Sequence, residues 1–298
     1  MTDLAGRPFV RGPVTVRTPA SSANLGPGFD ALGLALDVHD ELTAEVLPGD
    51  ALEVVVEGEG ADEVSRGEDH LVVRAIDAAL DLMGVRRPGL RLTCRNVVPH
   101  GRSMGSSSAA IVGGIVLAKA LVDGIEVPDD RATLQLAHDL EGHPDNVAAA
   151  LLGGLTIAWL DGFAAEAERL DVDVPLTLFV PPQPVSTEAA RGLLPPTVPH
   201  ADAATNAGRA ALLVAALLQA PHRLASATED LLHQPYRATA MPESYRLVRS
   251  LRVEGVPAVV SGAGPTVLAF ARGVAGAVPD GWRVLEVGVA QRGAHVVP

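Results

Sequence analysis

The sequence has a single cysteine, Cys94, and a single lysine, Lys119. One cysteine excludes an intrachain disulfide framework and a thiolate zinc site. Cys94 itself reads as a small buried apolar residue, since nothing in the sequence sets a base beside it. Lys119 falls inside an apolar helical stretch, so there is neither a G-x-x-x-x-G-K-[ST] loop nor a strand lysine of the protein-kinase kind. Long apolar runs are also missing. The most apolar segment, 109–122, is interrupted by Gly113, Gly114 and Lys119 and falls short of the roughly 18 residues a membrane span requires. It reads as a buried helix, with no membrane partner. The opening MTDLAGRPFVRG carries acid and glycine where an export signal has a basic and then an apolar stretch, so a cytoplasmic location is expected. Gly262-Ala-Gly264 lacks the third glycine of a dinucleotide fingerprint, and His138 to His143 is not H-E-x-x-H, which sets aside dehydrogenase and zinc-protease readings.

Apolar residues make up 48% and charged residues 20% of the 298 positions, as in a globular chain able to build a core. The length suits two lobes, because single cores stop growing near about 250 to 300 residues. The net charge of −13 repels a phosphate backbone and argues against nucleic acid as a partner. Strand patterns are expected at 14–18, 52–57, 90–95 and 154–159, and helical spacing at 71–83, 109–122 and 131–140. A polar, acidic stretch over 161–174 suggests a boundary near residue 165. Beyond it, helices are expected at 203–218, 223–232 and 245–253, and strands at 176–180, 258–261, 266–270 and 283–287. Strands and helices mix without a βαβ rhythm, which favours an α+β architecture.

The sharpest local feature is Pro99-His-Gly-Arg-Ser-Met-Gly-Ser-Ser-Ser-Ala-Ala110, which follows an expected strand and enters an expected helix. Gly101 and Gly105 allow tight turns that expose amides, Ser106, Ser107 and Ser108 offer hydroxyls, and the helix N-terminus adds partial positive charge. One serine would serve an ordinary N-cap. Three serines and two glycines exceed that need, and the segment reads as a phosphate-binding loop.

Two further segments join it: Pro19-Ala-Ser-Ser-Ala-Asn-Leu-Gly-Pro-Gly-Phe-Asp-Ala-Leu-Gly33 and Val260-Ser-Gly-Ala-Gly-Pro-Thr266. Together with Glu141-Gly-His-Pro-Asp-Asn-Val147, they resemble the GHMP kinase superfamily, and the S-A-N-L-G-x-G-F-D and E-G-H-P-D-N-V-A forms resemble its homoserine kinase branch. The resemblance spans nearly the whole chain. It implies a ribosomal-protein-S5-like first lobe (1–165) and a ferredoxin-like second lobe (166–298), with ATP and Mg²⁺ as cofactors. The implied reaction is phosphorylation of the side-chain hydroxyl of L-homoserine, in threonine biosynthesis. Another small alcohol as acceptor, or a non-catalytic sensor of the same fold, are the alternatives. A homodimer is one assembly open to such a chain.

By the same resemblance, Pro99, Gly101, Arg102, Ser103, Met104, Gly105, Ser106, Ser107 and Ser108 are expected at ATP. The family loop usually reads G-L-G-S-S, so Ser103 stands where a glycine is usual. Phosphoryl transfer needs a hydroxyl and a carboxylate at the metal. Ser107 matches the first, and Asp139, with Glu141 as its competitor, the second; two residues two apart on a helix point to different faces, so one of them is expected to face the metal. Asn24, Asp30, His143, Thr187, Arg191, Arg237 and Gly264 are expected around the acceptor, with Arg191 and Arg237 on its carboxylate. Thr187 and Arg191, four apart, are expected on one helix face. Asn146, Arg191 and Asp145 are the catalytic candidates; a loose transition state asks little of a base, so Asn146 and Arg191 are expected to orient the hydroxyl and stabilise charge.

Overall fold

A computed structural model of the chain describes residues 8–274 and 278–298. Residues 1–7, part of the opening read for an export signal, lie outside it. Seven strands form the first sheet: β1 (Val14–Ala23), β2 (Leu32–Leu47), β3 (Leu52–Gly58), β4 (Gly89–Asn96), β5 (Leu155–Asp161), β6 (Ala164–Leu170) and the C-terminal β11 (His295–Val297). Their order is β11-β1-β2-β4-β3, with β5 pairing β2 and β6 pairing β5. Every pair is antiparallel except β3 with β4. The smaller second sheet, β10-β7-β9-β8, is antiparallel throughout and contains β7 (Leu176–Val180), β8 (Ala258–Val260), β9 (Val267–Ala269) and β10 (Arg283–Val287).

Four helices cover the first sheet: α1 (Leu71–Leu82), α2 (Ser106–Leu121), α3 (Asp130–Glu141) and α4 (Pro144–Leu152). Helix α2 lies at their centre and buries Ile111, Val112, Ile115 and Leu117, so an apolar sequence without a polar stripe is what its position demands. Gly114 brings it close to α1, since an added Cβ would stand 2.8 Å from the Ala75 Cβ. The second lobe carries α5 (Thr187–Arg191), α6 (His200–Leu218), α7 (Leu224–Ala227), α8 (Gln234–Arg237) and α9 (Pro242–Val253).

The mixed α+β expectation holds, with three local differences. Strand β2 was not expected: Leu32, Leu34 and Leu36 are buried beside equally buried neighbours, so alternation is lost where the two lobes meet. The polar stretch 161–174 is largely β6, which pairs with β5 from Leu155↔Leu170 to Asp161↔Ala164. The boundary expected at 165 therefore falls inside a strand, and β11 returns the end of the chain to the first sheet. The helix expected at 223–232 stops at Ala227. Asp230 intercepts the backbone there, accepting hydrogen bonds from the amides of Leu232, His233 and Gln234. One core lies between the first sheet and its helices and includes Val16, Ile76, Leu92 and Ile111. A second joins Leu34, Leu36 and Met104 of the first lobe to Leu178, Val259 and Leu268 of the second, so the lobes share buried surface.

Candidate active site

The phosphate-loop candidate leaves β4 held by the buried Asp40, whose Oδ1 accepts from the amides of Val97 (2.6 Å) and Val98 (2.9 Å). Gly101, Ser103 and Gly105 all take positive φ, at 64°, 50° and 71°. At Gly105 glycine is obligatory, because a Cβ would stand 2.0 Å from Ser21 Oγ. Ser103 adopts the left-handed conformation despite its side chain, a strain of order 1 kcal/mol. Its hydroxyl donates to the Gly264 carbonyl (2.5 Å) and its carbonyl accepts from Ser261 Oγ (2.7 Å), which ties the loop to the second lobe.

Gly101, Ser103, Gly105, Ser106 and Ser107 line a cleft of about 410 Å³ at the N-terminus of α2. Other expected loop residues face elsewhere. Arg102 points to the carbonyls of His100, Pro181 and Pro182, Met104 is fully buried in the shared core, and the side chain of Pro99 is buried outside the cleft. Ser108 is buried behind Ser107.

Of the two carboxylates, Glu141 and not Asp139 meets the loop. Asp139 is exposed and, among the described residues, accepts only from Gln135, one turn earlier on α3 (2.8 Å). Glu141, at the end of α3, turns toward the loop, where its Oε1 accepts from Ser107 Oγ (2.6 Å) and Ser108 Oγ (2.8 Å). The rotation of α3 against α2 decides between them.

Opposite the loop lie Asn24, Asp30, His143, Asp145, Asn146, Thr187, Arg191 and Arg237. Asp30 accepts both arms of the Arg191 fork, at 3.0 Å each, and this bond raises the Arg191 pKa. Thr187 and Arg191 share α5, as their spacing implied. Asn24 bridges the lobes, accepting from the Asp30 amide (2.9 Å) and donating to the Gly262 carbonyl (2.9 Å). His143 contacts the buried Asp145 at 3.1 Å, and that hydrogen bond pushes the imidazole pKa up against the opposing effect of burial. Asn146, on the first turn of α4, accepts from Ser21 Oγ (2.9 Å). Gly262 and Ala263 line the cleft, whereas Gly264 is packed against Met241, whose Sδ would stand 2.2 Å from an added Cβ.

A second cavity of about 330 Å³ shares Ser106 and Ser107 with the cleft. Its walls combine apolar Leu42, Val64 and Val72 with polar Asp69, His70 and His100. Apart from His100, which lies in the loop segment 99–110, no sequence motif marked these residues. They come from strands, loops and a helix start that only folding brings together.

Family models describe both halves of the chain: the GHMP kinases N terminal domain matches residues 70–154 and the GHMP kinases C terminal model matches 211–283. With a serine-rich loop at a helix N-terminus and a charged cleft between two α+β lobes, the chain belongs to the GHMP kinase family. Within it, the full-length relatives are homoserine kinases. Homoserine kinase of Streptomyces avermitilis is 53% identical over 99% of both chains, and that of Leifsonia xyli 52% identical over 99% of this chain and 93% of its own. In fold, the crystal structure of homoserine kinase from Cytophaga hutchinsonii superimposes with a TM-score of 0.84 at 23% identity, each chain covered completely. That of L. major mevalonate kinase in complex with R-mevalonate gives 0.70 at 15% identity, covering 96% of this chain and 98% of its own.

Proposed function

We propose that the chain transfers the γ-phosphoryl group of ATP to the side-chain hydroxyl of L-homoserine, giving O-phospho-L-homoserine and ADP. The observation that carries this reading is a single cleft holding the Ser106–Ser107 loop at one side and the Arg191–Asp30 pair with Arg237 at the other. An α-amino acid presents one carboxylate and one ammonium, and this cleft offers two guanidiniums and a carboxylate to match. The names of the full-length relatives support the same acceptor.

The loop amides and the α2 N-terminus receive the phosphates. The adjoining 330 Å³ cavity, apolar with a few polar groups, suits the nucleoside. Ser107 and Glu141 form an all-oxygen donor pair of the kind Mg²⁺ uses when phosphate and water complete its shell, and they would hold it. When bound, the metal neutralises charge on the transferring group. The acceptor hydroxyl oxygen bonds to the γ-phosphorus as the bond from that phosphorus to the β–γ bridging oxygen breaks, the oxygen leaving with its electron pair on ADP, and the hydroxyl proton passes to solvent. Asn146, Asp145 and His143 line the same cleft and would orient that hydroxyl. Asp145, paired with His143, is the carboxylate nearest this step in role, though a loose transition state needs orientation more than deprotonation.

A coupled ADP-release assay tests the reading. Turnover is expected with L-homoserine and Mg²⁺, falling to background in excess chelator; ADP release indifferent to homoserine, or to chelation, would refute the acceptor or the metal respectively.

A further inference from the structure

We propose that His233 is a positioning residue for this reaction: as a neutral imidazole it fixes the Arg237 guanidinium in the acceptor pocket and, through its other nitrogen, anchors the loop that carries Asn24 and Asp30. The inference rests on the acceptor assignment above and adds a residue that no motif or resemblance supplied.

The His233 side chain is fully buried. Its Nε2 lies 2.8 Å from the Gly26 carbonyl, which can only accept, so Nε2 carries the hydrogen. Its Nδ1 lies 3.1 Å from Arg237 Nη1, which can only donate, so Nδ1 is bare. The two neighbours together demand one neutral tautomer. An imidazolium would turn an N–H against the guanidinium and break the second bond.

The surroundings enforce the same state. Asp230 lies 3.5 Å from Nε2, but its oxygens already serve the amides of Leu232, His233 and Gln234. Arg237, on the helix that His233 caps, and Asp30, from the first lobe, are the remaining charged groups among the described residues that bear on the ring. Burial and the Arg237 charge depress the imidazole pKa, against the opposing pull of Asp230. Phe29 stacks on His233 with ring centres 5.1 Å apart, and the same ring lies under Arg237 at 5.3 Å and Arg191 at 5.9 Å.

Arg237 is only 2% exposed, yet it lines the cleft. Its Nε donates to the Ala190 carbonyl (3.2 Å) and its Nη1 to His233, with a longer contact to the Gly262 carbonyl (3.5 Å). Its Nη2 has no hydrogen-bond partner among the described residues. A carboxylate ligand supplies one. A guanidinium held by so few bonds rotates if one fails, and His233 supplies the one side-chain acceptor among them.

Two conservative variants of the full chain separate the two bonds. His233→Asn places a carbonyl oxygen near Nδ1 and keeps an acceptor for Arg237. His233→Gln extends an amide N–H toward the Nε2 position and keeps the bond to Gly26 but not the acceptor. The KM for homoserine is expected to rise at least about tenfold in His233→Gln, which frees the guanidinium, and by a smaller factor of about three to five in His233→Asn, which loses only the bond to Gly26, with the KM for ATP nearly constant in both. Acidification should raise the wild-type homoserine KM more steeply than that of His233→Asn, because His143, which lines the same cleft, titrates in both while His233 titrates only in the wild type. Equal homoserine KM values in the two variants, or an equal rise in the KM for ATP, would overturn the positioning role. A wild-type protein that neither binds nor phosphorylates homoserine overturns the acceptor assignment and this role with it, so the two failures are distinct.

Discussion

Replacing Glu141 by alanine should cripple turnover, while replacing Asp139 should barely change it. Glu141 Oε1 receives two hydroxyl hydrogen bonds, from Ser107 at 2.6 Å and Ser108 at 2.8 Å. Its removal has two separable consequences. Ser108 is fully buried, so its hydroxyl loses its acceptor, at a stability cost of about 1 to 3 kcal/mol for an unsatisfied buried group. The proposed metal pair loses its charged member, and a loss of about 3 kcal/mol in transition-state charge stabilisation corresponds to roughly 100-fold in kcat. Asp139 makes, among the described residues, one exposed bond, to Gln135, and surface changes of that kind stay within about 0.5 kcal/mol. The assay is coupled ADP release with saturating homoserine, repeated across a Mg²⁺ titration, with thermal melts run in parallel. Glu141→Ala should need more Mg²⁺ and still fall short of wild-type kcat, whereas Asp139→Ala should follow the wild-type curve. Equal losses, or a larger loss in Asp139→Ala, would refute the assignment of Glu141 to the metal.

Arg191→Lys should lower kcat/KM for homoserine at least about tenfold, because an ammonium cannot reproduce a two-armed contact, while the KM for ATP holds; a collapse of ATP binding with homoserine KM unchanged would move Arg191 to the nucleotide side. For His143 the sign follows from its partner: the folded pKa is raised above the ordinary 6.5, so the imidazolium's contribution to stability is full below that pH and is lost as pH climbs through the folded value. The Tm difference between wild type and His143→Asn should therefore narrow as pH rises above 6.5, and a difference that widens would contradict the pairing with Asp145.

The parts of the site that were legible in the sequence are those whose chemistry is local. The glycines and serines of the loop, the helical spacing of Thr187 and Arg191, and the strand-to-helix context of 97–106 each depend on neighbours a few residues away. The choice between Asp139 and Glu141 does not. Both lie near the end of α3, and which one meets Ser107 is set by how α3 packs against α2, a tertiary fact. Met104 and Arg102 sit within the motif yet turn to the shared core and to Pro181 and Pro182, because alternate positions of a tight loop face opposite sides. His233 was hidden for another reason. It directly follows the stretch 223–232 whose apolar spacing suggested a helix, and only the diversion of the backbone by Asp230 delivers its ring to Gly26 and Arg237.

The acceptor loop shows why the two lobes act as one unit. Asn24, Leu25 and Asp30 all hold positive φ, at 67°, 50° and 53°, a conformation that costs L-residues of order 1 kcal/mol each. Part of what opposes that strain is local, since the Asp30 amide bonds Asn24 Oδ1 and Leu25 is completely buried. The remaining ties come from the second lobe. The Gly262 carbonyl accepts from Asn24 Nδ2, Asn206 Nδ2 donates to the Pro27 carbonyl at 2.8 Å, and His233 donates to the Gly26 carbonyl. Gly26 itself cannot carry a side chain, because a Cβ would stand 2.8 Å from the Thr228 carbonyl oxygen. The strained loop thus takes its shape from residues more than 170 positions later in the chain. The second lobe shapes the loop over 24–30 and, through Ser261 and Gly264, also braces the glycine- and serine-rich loop, so the cleft between them takes this geometry only where both lobes are folded together.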